Sequence, residues 1–374
     1  MPVDVRTVQS QGSTEVFITA TAPAGLPAQQ QAGELFVAIG NVLRATDAQL
    51  LEERIFATDQ AMTVFGPLRA DAYGGLDDGV PPSRLAVPQG IAGDLAGVQV
   101  HAIRSSRRLE PLRFGEWACG RILRGAGAGY LSLSGVCAPE VGPDPAAQAR
   151  AVFERAESAL RQVGADMHSV ARTWLWLDDI LSWYGDFNRV RNAFFTERGL
   201  LDGRATAKGP PASTGIGIRL AGGARCGLDL IAILGKRDST THYGAAGCQG
   251  SPHEYGSAFS RASVAATPAG RTVYVAGTAA IDAQGKTQHV GNGQAQIERT
   301  IENVRAVLKD LHCTDQDVVQ ALAYSKTVEI ERLFLDRQKD LPWPCLSTIA
   351  DICREELLFE LEVTACPGAK TPSL

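Results

Sequence analysis

The sequence predicts an α/β protein in which one small β–α–β–(α)–β unit occurs three times. At three places in the 374-residue chain an amphipathic helix is followed by an apolar strand, and the helices end alike, in VLRATDA, ALRQVGA and VLKDLHC. Runs rich in β-branched and apolar residues precede and follow each helix–strand pair, as strands do. Because a single unit leaves one sheet face uncovered, we expect three fused units to cover these faces against one another as an intramolecular pseudo-trimer.

The first predicted unit covers residues 1–118 and begins with the strand EVFITATA, residues 15–22. One face of its helix carries the apolar residues Leu35, Phe36, Ile39, Val42 and Leu43. The strands LLEERIFA and GVQVHAIR complete this unit. Between them, residues 66–93 predict a Gly/Pro-rich connection without a long amphipathic helix.

The second predicted unit covers residues 119–237, and its elements are the clearest of the three. After the strand at 128–138, Asp144 is a good helix cap and the helix that follows is amphipathic. The apolar strand VARTWLWL comes next, and SWYGDFNRVRNAFFTERG predicts an additional helix. The strand CGLDLIAIL closes the unit. Trp174 and Trp176 alternate within one strand, which predicts core positions rather than a stacking site.

The third predicted unit covers residues 250–366 and leaves a tail at 367–374. Its strands are predicted at 271–281, 318–327 and 357–365, with an amphipathic helix after the first of them. The segment ERLFLDRQKD predicts a shorter counterpart of the additional helix in the second unit.

Composition and charge exclude several classes of function. Hydrophobic residues make up 45% of the chain, charged residues 21%, and the net charge is -5 without a basic stripe, so we expect no nucleic-acid partner. No apolar stretch approaches the ~20 residues that cross a bilayer, and the first residues lack the features of a signal peptide, which predicts a cytoplasmic protein without a membrane partner. The eight cysteines form no CxxC pair and the six histidines no HExxH, so we expect reduced thiols, no metal and no cofactor.

Several segments resemble the chorismatases, a family with the YjgF/RidA fold. They are WYGDFNRVRNAFF, GPPASTGIG, YGSAFSRA, VAGTAAI and ADICREELLFELE. YjgF/RidA proteins are homotrimers with a site in each subunit interface, so the resemblance implies a site between fused units and a monomeric chain. It also implies a cofactor-independent enzyme that releases pyruvate from chorismate, leaving a hydroxybenzoate or a dihydroxycyclohexadiene carboxylate. The segment DRQKDLPWPCLST is short for a chorismatase, which implies a different loop over the site.

The resemblance places the catalytic acid at Glu360, and the residues around it suit that role. Cleaving the enol ether of chorismate requires a proton on the enolpyruvyl methylene carbon, and hence a general acid with a raised pKa. Strand alternation puts Glu360 and Glu362 on one face of the strand at 357–365. Apolar neighbours would push a carboxyl there toward its neutral form. Glu362 is the rival for the role, and two solvated glutamates on an exposed face are the alternative.

Arginines are needed to hold the two carboxylates of chorismate. Arg172 lies within the apolar strand VARTWLWL, where a substrate clamp and a buried structural ion pair are equally good explanations. Arg189 and Arg191 lie on an amphipathic helix, where a substrate contact and an ordinary surface charge are equally good explanations. Arg261, in AFSRA, lies at the start of the third unit, where the family has a substrate-facing segment.

Polar and small residues complete the predicted substrate site. They are Tyr184, Ser213, Thr214, Gly277, Thr278 and Ala279. The segment PPASTGIG is interpreted as a turn whose backbone N–H groups can approach an anion, with a plain connector as the alternative.

The predicted product is 3-hydroxybenzoate, and the residue behind that prediction is Cys353. It lies seven residues before Glu360, a spacing that resembles the hydroxybenzoate-forming chorismatases. A buried packing role is the alternative.

Three alternatives to this function differ in their chemistry. They are a chorismate hydrolase that forms the diol, an imine deaminase of the YjgF/RidA type and a non-catalytic small-molecule sensor. The deaminases use an arginine in a PxRT-like segment, where this chain is aligned with Thr214 and Cys345, which argues against that activity.

Overall fold

The structure, a computed structural model, describes most of the chain. The described residues are 3–10, 12–125, 128–201, 209–235 and 238–372. The predicted end of the second unit at residue 237 and the last two residues of the predicted tail lie outside them.

The first unit contains five strands and two helices. They are β1 (Val3–Gln9), β2 (Ser13–Thr21), α1 (Ala28–Thr46), β3 (Gln49–Ala57), α2 (Asp59–Tyr73), β4 (Ser83–Ala86) and β5 (Leu95–Ser105). Helix α2 corrects the prediction that residues 66–93 contain no part of a long helix. Its amphipathic pattern is obscured in the sequence because Arg69 occupies a buried position, where its guanidinium pairs with Glu53 at 2.7 Å.

The second unit begins earlier than predicted. Its elements are β6 (Glu110–Phe114), β7 (Trp117–Leu123), β8 (Ala128–Cys137), α3 (Pro145–Gln162), β9 (Val170–Leu177), α4 (Ile180–Glu197), β10 (Ala212–Ile216), β11 (Arg219–Leu220) and β12 (Cys226–Gly235). The hairpin of β6 and β7 pairs with β8, so the predicted boundary at residue 118 falls inside β7.

The third unit repeats the same order. Its elements are β13 (Thr240–Tyr243), β14 (Ala262–Thr267), β15 (Gly270–Ala279), α5 (Gly293–Asp310), β16 (Val318–Ser325), α6 (Val328–Gln338), β17 (Cys345–Ile349) and β18 (Phe359–Ala365). β13 begins ten residues before the predicted start at residue 250.

The prediction missed a short strand in each unit, namely β4, β10 and β17. Each pairs in parallel with the middle strand of its own unit. The segment GPPASTGIG, interpreted as a turn, therefore contains β10, in which Ala212 pairs with Arg172. These strands have four or five residues, too few for their alternation to stand out in a sequence.

The strands form three six-stranded sheets. Their orders are β1-β2-β5-β3-β4-β11, β10-β9-β12-β8-β7-β6 and β13-β14-β15-β18-β16-β17. Within the first sheet, β11 comes from the second unit and pairs with β4, which joins the first two units.

The three sheets share one apolar core. One face of each sheet packs against the helices of its own unit, and the opposite faces meet in a central cluster. Phe56, Tyr130, Trp176 and Leu322 belong to this cluster, as does Trp174. The prediction of three fused units is confirmed, and so is the core role of the two tryptophans.

Strand pairing shows which positions of the three units correspond. In each unit the pairing of the middle strand with the closing strand shifts register near the start of the middle strand. The residues just after that shift are Glu52, Arg172 and Gln320, which pair with His101, Ile231 and Thr364. Four residues before these partners, the equivalent positions on the closing strands are occupied by Gly97, Gly227 and Glu360.

Candidate active site

A cavity lies between the second and third units and encloses about 550 Å³ of free space, part of it open to solvent. Helix α4 and strand β10 of the second unit form one side. Strands β15 and β18 and the segments before β14 and β18 form the other. Eight of the candidates from the sequence line this cavity: Tyr184, Arg191, Ser213, Arg261, Gly277, Ala279, Cys353 and Glu360.

Glu360 faces this cavity from β18 and is only 5% exposed. Within the described part of the chain its carboxyl has no hydrogen-bond or ion-pair partner. Burial, and after it the neighbouring charge of Glu362, raise the pKa of Glu360 to about 8 against the opposing effect of Arg172, Arg261 and Arg354. Glu360 is therefore a neutral carboxylic acid at pH 7, able to donate a proton into the cavity.

Gly277 provides the space that the Glu360 side chain occupies. A Cβ atom at position 277 would lie 2.1 Å from Oε1 of Glu360. The pairing of β15 with β18 shifts register between Val275 and Thr278, next to this glycine. Thr278 is fully buried, donates its hydroxyl hydrogen to the carbonyl of Ala276 at 2.9 Å and does not line the cavity.

Glu362 lies two residues further along β18, in a different environment. Its carboxylate accepts hydrogen bonds from Nη2 of Arg172 at 2.7 Å, from Nε1 of Trp174 at 2.6 Å and from the hydroxyl of Thr214. Arg172 and Thr214 were both candidates for substrate contact, and neither lines the cavity. Of the two explanations for Arg172, the structure places it in the buried ion pair.

Arg191 presents a buried positive charge to the cavity. Its residue is 1% exposed, and among the described residues no carboxylate pairs with it. Nη2 donates to the side-chain oxygen of Asn188 at 2.6 Å, whereas Nε has no hydrogen-bond partner among the described residues. Burial lowers the pKa of Arg191, as expected for a cation without a counter-ion. Arg189 on the same helix points to solvent and pairs with Asp186.

Two further guanidinium groups reach the cavity from the third unit. Arg261 donates to the carbonyl of Gly250 at 3.2 Å and to the hydroxyl of Tyr255. Arg354 donates to the carbonyl of Gly285 at 2.6 Å. Neither pairs with a carboxylate in the described part of the chain. Three arginines thus converge on one cavity with no acidic partner, an arrangement suited to an anion with more than one negative group.

Sequence reasoning missed Arg354, Tyr255 and Phe259, which also line the cavity. Arg354 follows Cys353 directly in the segment ADICREELLFELE, so its position in that segment was the available signal. The ring of Phe259 lies between two of the arginines, 5.6 Å from the guanidinium carbon of Arg191 and 5.4 Å from that of Arg261. Tyr255 and Phe259 both lie in the segment YGSAFSRA, which was the available signal for them.

Cys353 and Tyr184 form a neutral part of the cavity wall. Burial raises the pKa of the Cys353 thiol to about 12, and the negative charge of Glu360 adds to this effect. Burial likewise raises the pKa of Tyr184 to about 12. Both groups remain protonated at pH 7. The thiol of Cys353 is a weak hydrogen-bond donor.

The described residues show neither a metal-binding cluster nor a membrane-spanning helix. They contain no cluster of three or more His, Cys, Asp or Glu side chains that could hold a metal ion. None of the helices they form is long and apolar enough to cross a membrane.

Comparison with known proteins supports the fold. Residues 256–366 match the family described as Endoribonuclease L-PSP. A crystal structure of chorismatase superimposes over 96% of this chain and 99% of its own, with a TM-score of 0.63 and 18% sequence identity. No curated protein matches the sequence.

Smaller structures cover single units. Yeast Mmf1 covers 34% of this chain and 97% of its own, at 15% identity and a TM-score of 0.27. E. coli TdcF with bound serine covers 26% and 81%, at 15% identity and a TM-score of 0.22. The expected fold, that of a chorismatase built from YjgF-like units, is confirmed.

Proposed function

We propose that this protein is a chorismatase, which cleaves the enolpyruvyl ether of chorismate by general-acid catalysis and releases pyruvate. The observation that carries the proposal is that a neutral Glu360 and three arginines line one cavity. Among the described residues none of these arginines has an acidic partner. Chorismate is a dianion with an acid-labile enol ether, so both halves of this arrangement have a use. The fold shared with a chorismatase agrees with it.

The arginines would bind the substrate through its carboxylates. Arg191 comes from the second unit and Arg261 and Arg354 from the third, so one substrate can be held from both sides of the interface. An anion that pairs with Arg191 would relieve its uncompensated burial. Part of the expected binding energy therefore comes from giving Arg191 a counter-ion that the described residues do not supply.

Glu360 would start the reaction by giving its proton to the methylene carbon of the enolpyruvyl group. The resulting oxocarbenium ion is then open to two fates. Water can add to it, and collapse of the adduct releases pyruvate and a ring diol. Alternatively, the 4-hydroxyl oxygen bonds to the neighbouring ring carbon as the C–O bond to pyruvate breaks, and the Glu360 carboxylate takes back the hydroxyl proton. The strained ring product then opens and aromatises to a hydroxybenzoate.

The product we propose is 3-hydroxybenzoate. Cys353 places a neutral thiol in the cavity wall beside Glu360, and a thiol binds water poorly. Gly277 and Ala279 line the same cavity with small side chains. A wall of this kind disfavours an ordered attacking water and so favours attack by the ring hydroxyl.

Incubation of the purified protein with chorismate tests the function and the product together. Enzymatic assay of pyruvate measures ether cleavage, and chromatography identifies the aromatic or diene product. We expect equal amounts of pyruvate and 3-hydroxybenzoate. Pyruvate with only the diol would reject the product assignment and keep the enzyme class, whereas no pyruvate at all would reject the function.

Cys353→Ala tests the role of the thiol. If the thiol keeps water from the oxocarbenium ion, the variant shifts the product ratio toward the diol while total pyruvate release stays within about tenfold of wild type. An unchanged ratio of diol to hydroxybenzoate would show that Cys353 is only a packing residue.

A further inference from the structure

Glu360 and Glu362 share one face of β18, two residues apart, and each is 5% exposed. Residues i and i+2 of a strand are about 6.6 Å apart. Two buried carboxylates at this separation repel each other, and ionising both is unfavourable. Keeping one of the two protonated avoids this repulsion, and the donors around each carboxyl indicate which one.

The donors all belong to Glu362. Arg172 and Trp174 of β9 and Thr214 of β10 donate to its two oxygens, and Nη1 of Arg54 on β3 lies 3.8 Å away. Donors from the first and second units thus converge on a carboxylate of the third. Hydrogen bonds to the charged form stabilise that form. Glu362 is accordingly the carboxylate of the pair.

From this geometry we propose that Glu362 is a positioning residue whose fixed negative charge keeps Glu360 protonated for catalysis. The inference rests on the proposed function, because it concerns the same acid. It also gives Arg172 a role other than substrate clamp: Arg172 holds Glu362 in its charged form.

Other charged and titratable groups act on Glu360 from the elements packed around it. Arg172, Arg261 and Arg354 favour its ionised form, and the negative charge of Glu362 opposes them. Cys353, Tyr184 and Tyr324, which are coupled to Glu360, are protonated in the neutral pH range. Apart from Glu362, the charges that act most strongly on Glu360 are positive, namely those of Arg172, Arg261 and Arg354.

Glu362→Gln tests the inference through the pH dependence of kcat/KM. Neutralising residue 362 lowers the pKa of Glu360, so the protonated, active form disappears at a lower pH. We expect the wild-type activity to fall above about pH 8 and that of the variant to fall about one to two pH units lower. Activity at the acidic plateau should change by less than about tenfold. If the kcat/KM of the variant fell at the same alkaline pH as that of the wild type, the inference would be overturned.

Asp229→Asn is the matched control. Asp229 is a fully buried carboxyl on the equivalent strand of the second unit, and it accepts hydrogen bonds from Ser83 at 2.7 Å and from the backbone N–H of Gly135. Its removal disturbs a comparable buried carboxyl, one that is not among the charges acting most strongly on Glu360. The alkaline limb should stay in place in this variant; a shift equal to that of Glu362→Gln would reject a specific role for Glu362.

An infrared titration separates this inference from the proposed function, because it needs no turnover. The C=O band of a protonated carboxyl should disappear near pH 8 in the wild type, should be missing in Glu360→Gln, and should disappear at lower pH in Glu362→Gln. These results would uphold the inference even if chorismate were not a substrate. A band that titrates near pH 8 and persists in Glu360→Gln would show that another carboxyl holds the proton and would overturn the inference. This arm does not require Glu362→Gln to fold.

Discussion

The cleft between the second and third units differs from the two clefts that pseudo-threefold symmetry makes equivalent to it. Where β18 carries Glu360, the corresponding positions of β5 and β12 are Gly97 and Gly227. The space that a side chain would need there is already filled. A Cβ at Gly97 would lie 2.6 Å from a methyl carbon of Leu346, and one at Gly227 would lie 2.2 Å from a methyl carbon of Leu220. Only one of the three clefts therefore has the candidate acid.

The buried polar cluster next to Glu360, in contrast, has a counterpart in another cleft. Thr214 donates to Glu362 in the third unit's cleft, and at the equivalent place Ser83 donates to Asp229 at 2.7 Å. These polar pairs lie near the axis where the units meet, and they recur because every sheet face must satisfy buried polar groups there. The comparison teaches that polar residues at a unit interface are structural by default. The acid, its glycine and the arginines without a described acidic partner distinguish the cleft that we propose as the active site.

The largest expected effect is that of Glu360→Gln, which keeps the shape and removes the transferable proton. Turnover of chorismate should fall by about 10²–10⁴-fold, while the affinity for substrate, measured by calorimetry, remains. Treatment with a chelator should leave the wild-type rate unchanged. Near-normal turnover in this variant together with loss in Glu362→Gln would move the acid two residues along the strand.

Arg191→Met should weaken binding and strengthen the fold. Loss of a charge-assisted contact to a carboxylate is expected to raise KM by about 10–10²-fold. The same change removes a buried cation without a counter-ion and should raise the free energy of unfolding by about 1 kcal/mol. Steady-state kinetics and chemical denaturation measure the two effects.

Arg189→Met is the control for that comparison. Arg189 lies on the same helix, exposed and paired with Asp186, so both KM and stability should change little. A KM effect equal to that of Arg191→Met would mean that helix α4, rather than the Arg191 charge, is responsible.

Gly277→Ala should displace the Glu360 carboxyl without unfolding the protein, because the nearest clash is with the end of a flexible side chain. We expect kcat to fall by about tenfold or more and the melting temperature to remain within a few degrees of wild type. Gly185→Ala on α4, where nothing lies within 4 Å of the added methyl group, is the control. Unchanged kcat in Gly277→Ala would show that Glu360 tolerates displacement.

The last prediction concerns the pH dependence of stability. The pKa of Glu360 is raised in the folded protein to about 8 from 4.5, so the folded state binds one more proton than the unfolded state between these values. Its stabilising contribution is complete below pH 4.5 and is lost as the pH rises through 8, at about 1.4 kcal/mol per pH unit. Denaturation curves of Glu360→Gln should lack this slope; equal slopes in both proteins would contradict the raised pKa.

The sequence by itself determined the repeated unit and much of the site. Helix and strand periodicity depend on neighbouring residues, so the three helix–strand junctions, the apolar faces of α1, α3 and α5 and the alternation on β18 were visible without coordinates. The segments that resemble chorismatases contain Glu360, Cys353 and Arg261, and all three line the cavity.

The tertiary structure alone decided how these residues are partnered. Glu360 and Glu362 are equivalent in the strand pattern, and only the donors that other units bring to Glu362 separate them. Arg172 and Arg191 are both buried, and tertiary packing brings a carboxylate to Arg172 but, among the described residues, none to Arg191. Helix α2 was hidden because its buried Arg69 is satisfied by Glu53 on another element. Partners of this kind come from distant parts of the chain, and local periodicity carries no information about them.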